Sequence, residues 1–291
     1  MTAISGQLLK AEHMLRSLFN FILFTSIYIS GCALGMIWQT NQLLDLHYPK
    51  NTFYLFVFFS TICSYNFHWY LTPGAYSASE RMQWGNRHRT LMLALCGVGM
   101  LGSLWFFWQL REHWLVLSGS VILTFLYSAP KVPHKAFRWL SKIAIGKTLF
   151  LTFVWTYVTT LLPALVAGNT TTAPVIFLTL HRFTLIYAIC ILFDYRDLES
   201  DRKEGIRSLI TALDEKNLNR LYYFSLLLAA VSAGLMGPFT TLPAIATLMV
   251  PVIATALITH KAHHDDSDYL FYFVLDGFMA LSAVLYWLIS W

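Results

Sequence analysis

The chain has 291 residues, of which 57% are hydrophobic and only 12% charged. A soluble domain carries about 25% charge, so a soluble enzyme is excluded, and so is disorder, which needs the opposite bias. What remains is an all-α membrane protein, and its net charge of +5 is explained by basic loops on the cytoplasmic side rather than by nucleic acid.

A membrane span needs about 20 mostly apolar residues. In chain order such segments lie near 18–40, 52–72, 90–109, 112–128, 143–167, 174–193, 218–236, 240–260 and 268–290. The pair 90–109 and 112–128 is joined by a very short turn at Leu110-Arg111-Glu112. With the N-terminus inside, sixteen of the twenty Lys and Arg fall on inner connections and two, Lys50 and Arg111, on outer ones. Lys147 and Arg182 lie within spans. This bias predicts nine transmembrane helices in the cell (inner) membrane, N-terminus cytoplasmic and C-terminus on the opposite side. Lys10, Glu12 and Arg16 precede an apolar stretch too long for a signal peptide, so none is expected. The chain reads as a single transmembrane domain, 1–291. Cys32, Cys63, Cys96 and Cys190 lie in apolar runs without CxxC spacing, as expected of small buried hydrophobes.

The outer connections are short and bland, whereas the inner ones are long and charged. The chemistry is therefore expected at the cytoplasmic mouth. The richest segment runs from Asp194 to Arg207, directly after the sixth span. Asp194, Asp197 and Asp201 are spaced 0, +3, +7. At about 100° per residue they occupy one arc of a helix face about 60° wide. Clustered carboxylates repel unless a cation lies between them. Mg²⁺ answers that need, because it takes oxygen ligands and bridges to phosphate. A solvated, salt-bridged helix end with interleaved acids and bases is the alternative.

Asp194-Tyr195-Arg196-Asp197-Leu198-Glu199-Ser200-Asp201-Arg202-Lys203-Glu204-Gly205 resembles the second aspartate-rich motif of the UbiA-type intramembrane prenyltransferases, DxxDxxxD followed by R-K-x-G and a Leu, here Leu209. Tyr127-Ser128-Ala129-Pro130 is similar to that family's Tyr-[Ser/Thr]-x-Pro segment after the fourth span, and Asp276-Gly277 also fits. The resemblance implies nine helices around a central cavity open to the cytoplasm and to lipid. It implies Mg²⁺ gripping an isoprenyl diphosphate, and transfer of the prenyl group to a lipophilic or aromatic acceptor such as a quinone precursor. It places Asp194, Asp197 and Asp201 on the metal, with Asp194, Asp197 and Tyr127 at the reacting centre. Asn66, Arg87, Lys131, Lys203 and Tyr70 would contact the substrate.

The family's first motif, N-D-x-x-D-x-x-x-D, should end the second span. Asn66 is kept, but the three aspartate positions are Phe67, Tyr70 and Gly74. Two metal ions usually share the load in such chemistry, so one site is expected to be lost. One Mg²⁺ supported by cations among Arg81, Arg87, Arg89 and Lys131 is one outcome. The others are a donor that is not a diphosphate, and a catalytically silent lipid-binding protein on the same fold. A secondary transporter fits less well, because those place ions at the midplane of repeated halves. His68 is expected to be a hydrogen-bonded packing residue rather than a ligand. His181-Arg182, inside the sixth span, is a functional candidate by default. The stretch His260 to Asp266 is expected to be a solvated loop.

Overall fold

The computed structural model describes residues 2–72, 79–128, 131, 147–169, 172–204 and 213–290, with side chains described except at 2–9, 147 and 199–204. Every regular element among the described residues is helical. The long helices are α1 (Thr2–Phe24), α2 (Ile27–Leu43), α3 (Lys50–Leu71), α5 (Arg89–Gln109), α6 (Trp114–Ser128), α9 (Ala173–Glu204), α10 (Glu215–Leu235), α11 (Leu242–Ala262) and α12 (Asp276–Ile289). The short α4 (Glu80–Arg87) lies between α3 and α5. One span is composite, running as α7 (Lys147–Thr156), a π turn (Tyr157–Leu161) and α8 (Leu162–Val166). A second π turn (Leu270–Leu275) leads into α12.

Helix makes up most of the described residues in each of the nine expected segments, with a break at Thr25-Ser26 in the first. Among the described residues, six helical stretches are long and apolar enough to cross: Arg89–Gln109, Thr148–Val166, Ala173–Leu198, Glu215–Phe239, Leu242–Ala262 and Leu270–Ile289. The bent pair Lys10–Phe24 and Ile27–Leu43 makes a seventh. Helix α3 is long enough but is interrupted by Asn51, Ser60, Thr61, Ser64, Asn66 and His68, and α6 has only 15 residues. Helix α9 is the most buried of the six stretches and α5 the least. The outer flank of α5 exposes Leu101, Leu104, Trp105 and Trp108, a surface suited to lipid tails.

The first expected span is not one straight helix. It bends by 59° between α1 and α2, where Ser26 takes a left-handed conformation with φ 69°. A left-handed non-glycine residue is costly, and the break frees carbonyls that no water in a bilayer can satisfy. Two side chains from elsewhere take them. Arg81 Nη1 donates to Leu23 O at 3.2 Å, and Asn66 Nδ2 donates to Thr25 O at 3.0 Å.

The composite span solves a similar problem. Pro163 has no N–H to give Thr159 O four residues earlier. That carbonyl instead accepts from Arg182 Nη1 at 3.0 Å and Thr40 Oγ1 at 2.8 Å. Arg182 is only 2% exposed. Its other contacts are Thr40 Oγ1 (2.7 Å), Thr160 Oγ1 (3.2 Å), Met36 O (2.8 Å) and Gln39 Oε1 (3.1 Å). Arg182 thus ties α9 to α2 and the π turn through neutral acceptors. Its neighbour His181, also buried, shares a hydrogen bond with Ala229 O on α10. Both residues of the intramembrane pair therefore act between helices.

Helices α3 and α5 meet closely at Gly99. A Cβ there would lie 2.6 Å from Cys63 N and 2.8 Å from Phe59 O, so only glycine lets the two backbones approach this way. Cys63 and Cys96 face each other across this contact as free thiols, with Sγ atoms 3.8 Å apart.

Candidate functional site

The ends of α3 and α9, the start of α4 and the second π turn converge on one cluster of cations and aromatic rings. Helix α4 is set in place by its N-terminus. Ser79 caps it, accepting from Met82 N at 3.3 Å, and Ser79 Oγ donates to Asp268 Oδ2 at 2.9 Å. Asp268 also accepts from the backbone N–H of Arg81 at 2.8 Å. A carboxylate at a helix N-terminus is favourable for both hydrogen-bonding and dipole reasons. Glu80, the only acid near the altered first motif in sequence, turns away and pairs with Arg16 at 3.0 Å and with the Tyr269 hydroxyl at 3.0 Å.

This anchoring sends Arg81 inward. Its guanidinium carbon lies 4.2 Å from the Trp69 ring centroid, 4.8 Å from that of Tyr272 and 5.8 Å from that of Phe24. Arg196, from α9, approaches the same tyrosine at 4.8 Å and donates to its hydroxyl at 3.0 Å. Phe271 and Phe193 also flank Arg196, at 4.7 and 5.3 Å. Trp69 meets Tyr272 edge-on at 5.6 Å. Cation–π contacts of this kind are strongest where water is excluded.

Lys131 enters from the other side. Its Nζ donates to His68 Nε2 at 2.7 Å and to the Thr72 hydroxyl, and it lies 5.7 Å from the Trp69 ring. With Nε2 accepting from an ammonium, a neutral His68 carries its proton on Nδ1, which faces Ser128 Oγ at 3.4 Å. The His68 ring stacks on Tyr127 at 4.8 Å and 15°. Tyr127 in turn lies within electrostatic reach of Asp197 and Asp194. His68 is therefore a hydrogen-bonded packing residue, as expected, and it fixes both Lys131 and Tyr127.

Of the aspartate trio, two members are placed. Asp194 Oδ2 accepts from Thr148 Oγ1 at 2.5 Å, and Asp197 Oδ1 accepts from Arg196 Nε at 2.9 Å. The side chains of Asp201 and Lys203 lie outside the described residues, as does Gly74 of the altered first motif. Among the described residues no three acidic, His or Cys side chains form a metal-binding group. Asp194 and Asp197 offer an all-oxygen donor set at i, i+3, which suits a hard cation such as Mg²⁺.

The remaining expected residues are dispersed. Asn66 is fully buried and donates to Thr25 O and to Ile62 O. Tyr70 carries Arg89 over its ring at 4.6 Å. Arg87 is exposed on the last turn of α4. The crevice beside Trp69, Tyr70, Thr72 and Arg81 holds about 10 Å³, at most the room of one water. It is a gap behind the guanidinium rather than a seat for a ligand.

Sequence reasoning missed Arg196 and Tyr272, and weighed Arg81 only as one of several inner-side cations. Arg196 had a signal, since it lies inside the aspartate motif itself. Tyr272 had none, being one aromatic residue in an apolar run.

A search of curated proteins returns no match. A family model, the UbiA prenyltransferase family, matches residues 85–282. That stretch is more than half of the chain, contains the aspartates of α9 and begins after the altered first motif. With membrane-length helices and the carboxylate pair at the end of α9, it settles membership: this chain belongs to the UbiA prenyltransferase family.

Proposed function

We propose that the chain is an integral-membrane prenyltransferase that moves an isoprenyl group from an isoprenyl diphosphate to a lipophilic or aromatic acceptor. The observation that supports this reading is the carboxylate pair Asp194 and Asp197, one helical turn apart on α9, with Asp197 held by Arg196 at the edge of the cation cluster. The full reading has nine spans around a cavity open to the cytoplasm, within a single domain.

In this reading Asp194, Asp197 and Asp201 hold Mg²⁺. Held there, Mg²⁺ would supply positive charge to a departing diphosphate. The protein's own groups supply position and charge rather than a nucleophile. Lys131, held by His68 and Thr72, presents a fixed ammonium beside the Trp69 ring. Thr148 orients Asp194 by donating to one of its oxygens. Tyr127, its ring fixed by His68, offers a π face to a prenyl centre gaining positive charge. Arg87, on the last turn of α4, and Lys203, in the last turn of α9, add positive potential for an approaching anion.

A second reading is a catalytically silent lipid-binding protein on the same fold. It is favoured by the loss of the first aspartate motif and by the use of Asn66 to satisfy a helix break. Release of diphosphate from isoprenyl diphosphates of several chain lengths separates the two. The enzymatic reading expects Mg²⁺-dependent release by the purified chain, with Asp194→Asn and Asp197→Asn each reducing it at least about a hundredfold. Absence of release with every chain length and acceptor class would leave the silent reading.

A further inference from the structure

Cys63 and Cys96 are 33 positions apart in sequence, yet their sulfurs lie 3.8 Å apart across the contact of α3 with α5. Glycine makes this approach possible. A Cβ on Gly99, three residues after Cys96, would lie 2.9 Å from Cys63 Cα, and one on Gly102 would strike the Phe59 ring at 2.4 Å. Two cysteines can be bridged only where the backbones come close and the side chains face each other. Here the thiols are already in contact. A disulfide needs the sulfurs at about 2.05 Å, and turning the two Cα–Cβ bonds is the motion that closes the remaining gap.

The surroundings of the pair decide what can reach it. Met92 and Gly99, at i−4 and i+3 from Cys96, are buried. Leu93 and Met100, at i−3 and i+4, are 54% and 51% exposed. Cys96 therefore sits on the seam between the packed and the outward face of α5, and both thiols are half-buried. The outward face continues through Leu101, Leu104 and Trp105, a surface for hydrocarbon rather than water. Cys32 and Cys190, in contrast, are buried in the main core. A reagent for the pair must therefore dissolve in lipid, and to join two thiols it must accept two electrons.

We propose that Cys63 and Cys96 form a dithiol–disulfide couple that a lipid-soluble quinone oxidises, a modification site on the flank of the bundle. One thiol adds to a ring carbon of the quinone. An S–C bond forms, and the S–H proton passes to a quinone oxygen. The second sulfur then attacks the first. The S–S bond forms and the S–C bond breaks, its electron pair passing through the ring to the other oxygen, which takes the second proton. Two thiols become one disulfide, and one quinone becomes one hydroquinone. No metal or isoprenyl diphosphate takes part, so the couple stands apart from the prenyl-transfer reading. Its consequence lies in the loop that it closes. The chain between the two cysteines carries the end of α3, with His68 and Trp69, and the whole of α4, with Arg81. A bridge restrains this loop in the unfolded chain and fastens both ends of the segment in the folded one.

The test uses the full chain in phosphatidylcholine nanodiscs, reduced, freed of reductant and then exposed to duroquinone. Hydroquinone is followed by absorbance. After denaturation the remaining thiols are alkylated with N-ethylmaleimide and counted by mass. The wild type is expected to lose two of its four thiols, to form one hydroquinone per chain, and to yield a peptide linked through Cys63 and Cys96 on digestion. Cys63→Ala and Cys96→Ala are each expected to slow hydroquinone formation at least about tenfold, while Cys32→Ala leaves it unchanged. The oxidised wild type is expected to unfold at least about 3 °C above the reduced one, a gain that dithiothreitol reverses. Peptide mapping of the wild type needs no variant, so a substitution that fails to fold leaves the test intact. Four unreacted thiols, a bridge between two copies, equal rates in wild type and Cys63→Ala, or an unfolding midpoint that oxidation leaves unchanged would overturn the proposal. So would a bridge that forms with hydrogen peroxide and not with duroquinone, which would mark a water-borne oxidant.

Discussion

Asn66 reaches across to Thr25, its Nδ2 donating to the Thr25 carbonyl at 3.0 Å where the first span breaks. The residue that the altered motif keeps is thus also the one that makes the bend between α1 and α2 tolerable. Asn66→Ala should leave that carbonyl unsatisfied in a dry interior, at a cost of about 1–3 kcal/mol. Thermal unfolding of the chain in detergent or nanodiscs measures this. An unchanged midpoint would mean that Asn66 serves only a ligand.

Arg182 carries a heavier structural load. It answers the carbonyl that Pro163 leaves free and ties α2 to α9. Arg182→Met should lower stability by about 3 kcal/mol or more, because several acceptors lose a charged donor at once. Arg182→Lys should recover little, since a single ammonium cannot span the same set of acceptors. Pro163→Ala, which restores an N–H for Thr159 O, should soften the effect of Arg182→Met. A double-mutant cycle on unfolding midpoints checks the coupling.

A pH dependence is expected at the C-terminal ends of α9 and α11. His263, just past α11, packs its ring against Tyr195 at 4.1 Å, tilted by 36°. Burial holds its imidazole below the ordinary histidine value, with His264 and His260 adding to the effect and Glu215 opposing it. A histidine that is harder to protonate when folded favours the folded state while neutral. That contribution is present above about pH 6.5, the unfolded value, and is lost as pH falls below it. The unfolding midpoint should therefore drop more between pH 7.5 and 5.5 in wild type than in His263→Phe, which keeps the ring contact without the titration.

The all-helical character was legible, because apolar runs of spanning length follow directly from the cost of burying charge in lipid. The Asp194 and Asp197 face was legible from helical spacing alone. The break at Thr25-Ser26 was not. Neither residue is Pro or Gly, and the break is held by Arg81 on the Ser26 hydroxyl and by Asn66 on the Thr25 carbonyl, from far along the chain. Partnering of Arg196 with Tyr272 was equally hidden, because the two are 76 positions apart and meet only once α9 and the second π turn pack together. Pro163 did carry a readable hint that some donor must reach Thr159 O, although not that the donor would be Arg182.

The central claim, a divalent cation held by the carboxylates at the end of α9 against a phosphorylated lipid, is tested most directly with Mn²⁺ as a paramagnetic stand-in for Mg²⁺. Electron paramagnetic resonance of the full chain with Mn²⁺ and farnesyl thiodiphosphate should show bound ion. That signal should revert to the free aqueous spectrum in Asp194→Asn and Asp197→Asn. A spectrum of free Mn²⁺ in the wild-type protein, or bound ion that survives both substitutions, would contradict the account.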